Sequence, residues 1–232
     1  MPFIPPRLKR SLVASAGTIV FGMEDGTVSI FGLIFGVAAT TSNNIAVLIA
    51  GASGAAAAAV SMMTGAYLDA ETSQDAMNAS QARLRSDLAL PPAEMAALLS
   101  TRLAVAGLSP ERATALAGAV EHNPEALKGV LIALQAAPEK PPNPLEQALW
   151  MLVADFLSAA VPILPFIFLP IAQARFAAAA ATTALLVALG VGRARIGGRS
   201  IVRTVAETVS MGAAAALAGV AIGVIINRGF GG

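Results

Sequence analysis

The sequence predicts an all-α, polytopic membrane protein with five transmembrane helices and a small cytoplasmic helical insert. Three observations carry this. Hydrophobic residues make up 56% of the 232 residues and charged residues only 12%, about half the charge of an ordinary soluble domain. Mean hydropathy is +0.72. The apolar residues also gather into runs long enough, as helices, to cross a hydrocarbon layer about 30 Å thick.

The first run, Leu12 to Ala39, follows a basic start at Arg7, Lys9 and Arg10. It is too long for a secretory signal, contains two acids, Glu24 and Asp25, and lacks a convincing cleavage site, so it reads as a retained helix. A short polar turn, Thr40 to Asn44, leads into the second run, Ile45 to Leu68. The third, Ala148 to Ile171, opens at Trp150, an expected interfacial anchor, and is kinked by Pro162 and Pro165. The fourth, Phe176 to Val191, is the shortest, and the fifth runs from Ile201 to Ile226. The chain thus divides into residues 1–68 (spans one and two), 69–147 (the insert) and 148–232 (spans three to five).

The insert reads as several short helices. Pro91-Pro92 opens a periodic run from Ala93 to Ala106, and Gly107 ends it. Ser109-Pro110-Glu111 is an N-cap with a first-turn proline, and Asn123-Pro124 caps the run from Glu125 to Gln135. Pro138, Pro141, Pro142 and Pro144 form a stiff linker to the third span.

Basic residues set the orientation. With five spans, the amino terminus, the insert and the segment holding Arg193, Arg195, Arg199 and Arg203 fall on one side, leaving only Arg175 and Arg228 on the other. By the positive-inside rule the amino terminus is cytoplasmic and the carboxyl terminus outside. Glycine pairs at helix-packing spacing, Gly22 with Gly26, Gly32 with Gly36 and Gly219 with Gly223, predict close helix crossings rather than a ligand site. A net charge of +1 gives no reason to expect a nucleic-acid partner, and the absence of cysteine excludes disulfides and thiolate metal sites.

The chemistry concentrates at Glu24 and Asp25. Acids at bilayer depth are costly and mark ion or proton pathways by default. No lysine or arginine is expected at their depth in any span, so the pair reads as uncompensated negative charge. Counting outward from the Thr40–Asn44 turn at 1.5 Å per residue puts Asp25 and Met62 at similar depth, with Met63 an equally placed alternative. A carboxylate with a thioether suits a borderline divalent metal such as iron(II) better than magnesium or calcium. Asp155 and Glu207 have two readings each: they line the same pathway, or they lie near helix ends and reach the interface or pair with an arginine.

The stretches Gly22-Met23-Glu24-Asp25-Gly26-Thr27-Val28-Ser29 and Ala59-Val60-Ser61-Met62-Met63-Thr64-Gly65-Ala66-Tyr67-Leu68 resemble the signature of the vacuolar iron transporter family. Val161-Pro162-Ile163-Leu164-Pro165-Phe166 is similar to that family's third span, and Gly198-Arg199-Ser200 with Met211-Gly212 to its last. The resemblance implies a homodimer that exports ferrous iron, and often manganese, from the cytoplasm in exchange for protons, with no prosthetic group. It matches Asp25 to the family's metal-binding aspartate and Met62 to its methionine. Two positions depart from the pattern: Glu24 stands where asparagine is usual, and Ala66 where glutamate is usual. The insert keeps Glu94, Glu111, Glu121 and Glu125 but has alanine at positions such as Ala97, which predicts a structural or dimer-forming insert that stores little metal. Glu121 and His122 are adjacent and diverge on a helix, so they read as a solvated pair.

Two other classes of function fit these acids less well. An intramembrane aspartyl hydrolase would use Asp25 and Asp155 as a dyad sharing one proton, but no protease motif surrounds either residue. A scaffold without substrate leaves the cost of Glu24 and Asp25 unexplained. The expectation is therefore a transporter rather than an enzyme. No organellar transit peptide is visible, which points to a prokaryotic plasma membrane over a vacuole.

Overall fold

The computed structural model describes residues 5–134 and 143–230. Its elements are α1 (Pro6–Ala14), α2 (Ala16–Thr40), α3 (Asn44–Asp87), α4 (Pro92–Val105), α5 (Pro110–Glu121), α6 (Pro124–Leu134), α7 (Pro144–Ile163), α8 (Pro165–Phe168), α9 (Ile171–Ile196) and α10 (Ile201–Phe230). Five segments are long and apolar enough to cross a membrane: α2, α3, α7 with α8, α9 and α10. The protein is a multi-pass membrane protein.

The chain separates into two compact units, residues 1–70 with 142–232, and residues 71–141. In the first unit α2 packs against α7, α9 and α10. Its two glycine pairs make this closeness possible. A Cβ on Gly22 would meet the Met151 sulfur of α7 at 2.6 Å, and one on Gly26 would strike the backbone carbonyl of Asp155. Gly32 and Gly36 do the same for α10, where Gly219 and Gly223 lie against their backbone carbonyls. Without a hydrophobic driving force between helices in lipid, such close backbone packing is the main source of cohesion. The expected role of these glycines is the observed one. Ile30, Ile34, Val47, Ala55, Ala159, Phe166, Ala174 and Ala178 form the buried core of this unit, while α10 turns Leu217, Ile222, Ile225 and Ile226 outward, as a lipid-facing surface would.

The larger differences from the sequence reading lie in the first, fourth and second spans. The first run is split at Ser15, whose backbone (φ −99°, ψ 10°) leaves the helical region between α1 and α2. The fourth span is far longer than Phe176 to Val191. Pro170 starts it and Gly197 caps it, with Gly198 in the left-handed region at φ +61°, so the glycine stop rather than the loss of hydropathy ends the helix. The second span continues as one helix to Asp87, well into the region expected to begin the insert.

The proline pair does kink the third span: Pro162 lies inside α7, and Pro165 opens the short α8. Pro170 has no N–H for the carbonyl of Phe166 one turn back. The Asn44 amide takes that place, donating to Phe166 O at 2.9 Å and Leu169 O at 2.7 Å. Arg175 donates to the terminal carbonyls of α2 at Ala38 and Thr41, where the helix dipole favours a cation. At the other end of the third span the Trp150 indole donates to Ser11 of α1 at 3.1 Å and Gln147 to Thr18 of α2 at 2.7 Å.

The second unit holds the last turns of α3 with α4, α5 and α6. Met95, Ala96, Leu99, Ala117, Leu127 and Leu131 form its core. Pro92, Pro110 and Pro124 each open a helix, and Gly107 turns the chain after α4 at φ +104°, a conformation that favours glycine. Asn123 caps α6 by accepting from Ala126 N at 3.1 Å. Of the expected proline linker, Pro138, Pro141 and Pro142 lie outside the described residues; Pro144 opens α7, capped by Asn143.

Candidate functional site

Glu24 and Asp25 lie on successive positions of α2, on a wall of a cavity of about 500 Å³ bounded also by α9 and α10. Their surroundings correct one expectation. Arg193 Nη1 donates to both carboxylate oxygens of Glu24, at 3.0 and 3.2 Å, so Glu24 is not free of a basic neighbour. Reading the fourth span as ending at Val191 left Arg193 in a loop. The helix in fact runs to Ile196, which holds Arg193 on an ordered last turn facing α2. The Glu24 side chain is 12% exposed and that of Arg193 is 35% exposed.

Asp25, by contrast, has no hydrogen bond or ion pair among the described residues. A third acid stands close by. Asp155 of α7 is fully buried, 0% exposed, and neither carboxylate oxygen has a partner. The nearby Ser158 hydroxyl donates to the Asp155 backbone carbonyl at 2.9 Å rather than to the carboxylate. Asp155 sits against Gly26 and close enough to Asp25 for the two charges to interact. Three acids therefore share this region with Arg193. Arg199 also lines the cavity, but Glu207 holds it at 3.2 Å. When all are ionised, two negative charges around Asp25 stay uncompensated, the charge of one divalent cation. Among the described residues no three acidic or histidine side chains converge into a ready metal cage.

The other sequence-predicted residues fall as follows. Met62 and Met63 are half-buried on α3 and do not line the cavity of Asp25. Equal depth does not fix facing direction. Ile30 and Ile34, whose side chains meet Gly54 and Gly51 of α3, lie five and nine positions beyond Asp25, about 140° and 180° round the helix. Glu207 pairs with Arg199 at 3.2 Å and Arg203 at 3.1 Å and does not line the cavity. In the second unit Glu94, Glu111 and Glu125 each stand in the first turn of a helix, where the dipole stabilises an acid without any metal. Glu121 and His122 end α5.

Of the charged and sulfur-bearing residues that line the cavity, Arg193, Arg199 and Met211 of α10 were not legible from the sequence as parts of the site. The available signal was the uninterrupted helical stretch up to Gly197-Gly198, which carries Arg193 one turn beyond the apolar run.

A family model described as the VIT family matches residues 16–224. The chain belongs to the VIT family. Among curated relatives of this VIT chain, Vacuolar iron transporter 1 of Arabidopsis thaliana is 28% identical over 213 residues, covering 90% of this chain and 85% of the relative. Vacuolar iron transporter of Centaurea cyanus is 30% identical, covering 86% and 83%, and Vacuolar iron transporter 1 of Tulipa gesneriana is 29% identical, covering 88% and 84%. Membership makes this VIT chain a transporter-family protein, not an enzyme. Asp25 and Asp155 do come within electrostatic reach, as a hydrolase dyad would need, but the family sets that reading aside.

Proposed function

We propose that the protein carries ferrous iron, with manganese as a second cargo, out of the cytoplasm in exchange for protons. The single observation that carries this is the uncompensated charge around Asp25, a carboxylate without a partner beside the buried, unpartnered Asp155. Relatives named as iron transporters support iron as the cargo. Carboxylates that bind either a divalent cation or protons are the minimum equipment for exchange, because neutralisation by one ligand excludes the other. The cavity-lining Met211 is the soft ligand that favours iron(II) over harder cations, the role expected from the sequence of Met62 and Met63, which stand outside this cavity. Asp155 adds a further negative charge at the site, beside Glu24 and Asp25. The protein works as a homodimer in a prokaryotic plasma membrane, amino terminus inside and carboxyl terminus outside, with residues 69–147 as a cytoplasmic insert.

The test is metal-driven proton flux in proteoliposomes for the parent and Asp25→Ala. We expect flux with iron or manganese in the parent and its loss in the variant. Equal flux in both would remove the proposed site, and flux with neither metal would remove the proposed cargo. Because the chain has no cysteine, single cysteines placed near either terminus report orientation by labelling from one side.

A further inference from the structure

We infer that Arg193 is a tethered competitor for the transported cation, occupying Glu24 when the cavity is empty and releasing it when a divalent metal enters. The inference rests on the transport reading above. Its basis is geometric. One guanidinium nitrogen contacts both oxygens of Glu24 at 3.0 and 3.2 Å, and both residues line the same cavity as Asp25 and Met211. The contact joins α2 to α9 at the cavity lining.

Arg193 is suited to leave. Its side chain is 35% exposed and stands in the last turn of α9, one turn before the glycine stop, whereas Glu24 is 12% exposed. The guanidinium is thus the more accessible of the two partners. A fixed positive charge on a flexible stem is a weaker competitor than a compact divalent ion for two neighbouring acids, since the ion interacts with Glu24 and Asp25 together. The same charge, held in place, repels cations when Glu24 is absent. Removing either partner should therefore shift metal affinity in opposite directions. A mere staple between two helices would not do this.

Iron(II) transport by the purified full-length protein in anaerobic proteoliposomes gives the half-saturating concentration and maximal rate for the parent, Arg193→Gln, Glu24→Gln and the double variant. Anaerobic calorimetric titration with iron(II) in detergent gives affinity independently of turnover. Arg193→Gln should lower the half-saturating concentration on the order of tenfold, within the usual range of coupling between charged sites. Glu24→Gln should raise it by a similar factor. The double variant should return near the parent, and Arg193→Lys, which keeps the charge, should stay near it as well. Single variants that shift affinity in the same direction, or by less than about twofold, would overturn the competitor role. If neither the parent nor any variant carries iron, the transport reading fails instead, so the two failures are told apart. Should Arg193→Gln not fold, the rise expected for Glu24→Gln alone decides, and unchanged affinity there overturns the inference.

Discussion

Gly26→Ala tests the close crossing that brings Asp155 beside α2. A Cβ at this position would lie 2.8 Å from both the Asp155 Oδ1 and the Ser158 Oγ, and closer still to the Asp155 backbone carbonyl. The side-chain atoms can swing away, but the carbonyl belongs to α7 and moves only with the helix. Restoring ordinary contact needs a displacement of more than half an ångström, and a gap of about 0.5–1 Å already forfeits a quarter to a half of each contact's attraction. Overpacking of this kind costs about 1–3 kcal/mol. Alanine in place of glycine returns about 0.8–1 kcal/mol of helix propensity, so the variant needs a matched control. Gly192→Ala in α9 supplies it, because a Cβ there meets nothing within 4 Å. Thermal unfolding of both in detergent should place Gly26→Ala below Gly192→Ala by about 2–4 °C for each kcal/mol of difference. Iron flux should fall in Gly26→Ala alone, since the parted helices move Asp155 away from Asp25. Equal midpoints would refute the α2–α7 crossing as described.

Asp155→Asn should raise the unfolding midpoint while reducing metal flux, because it removes a buried charge that has no partner; a lower midpoint would mean the carboxylate is stabilised by something other than its cargo. Asn44→Ala strands the carbonyls of Phe166 and Leu169 and should cost about 1–3 kcal/mol, read as a lower midpoint in the same assay. Glu207→Gln should leave iron flux near the parent level and stability within about 1 kcal/mol, as expected of a partly exposed ion pair; a large loss of flux would return Glu207 to the pathway.

Some of this was legible before any coordinates. Apolar runs marked all five spanning helices because a backbone in lipid must satisfy its own hydrogen bonds, and only a long helix does so with one segment. Glycine spacing marked the crossings, since i and i+4 share a face whatever the surroundings. Helix ends were less legible. Hydropathy falls where a helix leaves the apolar layer, but the backbone stops only at a residue that breaks it, which is why α9 continues to Gly197 and α3 to Asp87.

Residue chemistry by itself determined that acids at Glu24, Asp25 and Asp155 lie within apolar helices and must have a reason to be there. Only the tertiary structure decided how they are compensated. It gave Glu24 an arginine from α9, left Asp155 without a partner and turned Asp25 toward α9 and α10 rather than toward Met62. The physical reason is that sequence spacing determines depth and face within one helix, whereas the rotation of each helix against its neighbours follows from where small residues let backbones touch. At Gly26, Gly32 and Gly36 those contacts set the orientation of α2, and with it the direction in which Asp25 looks.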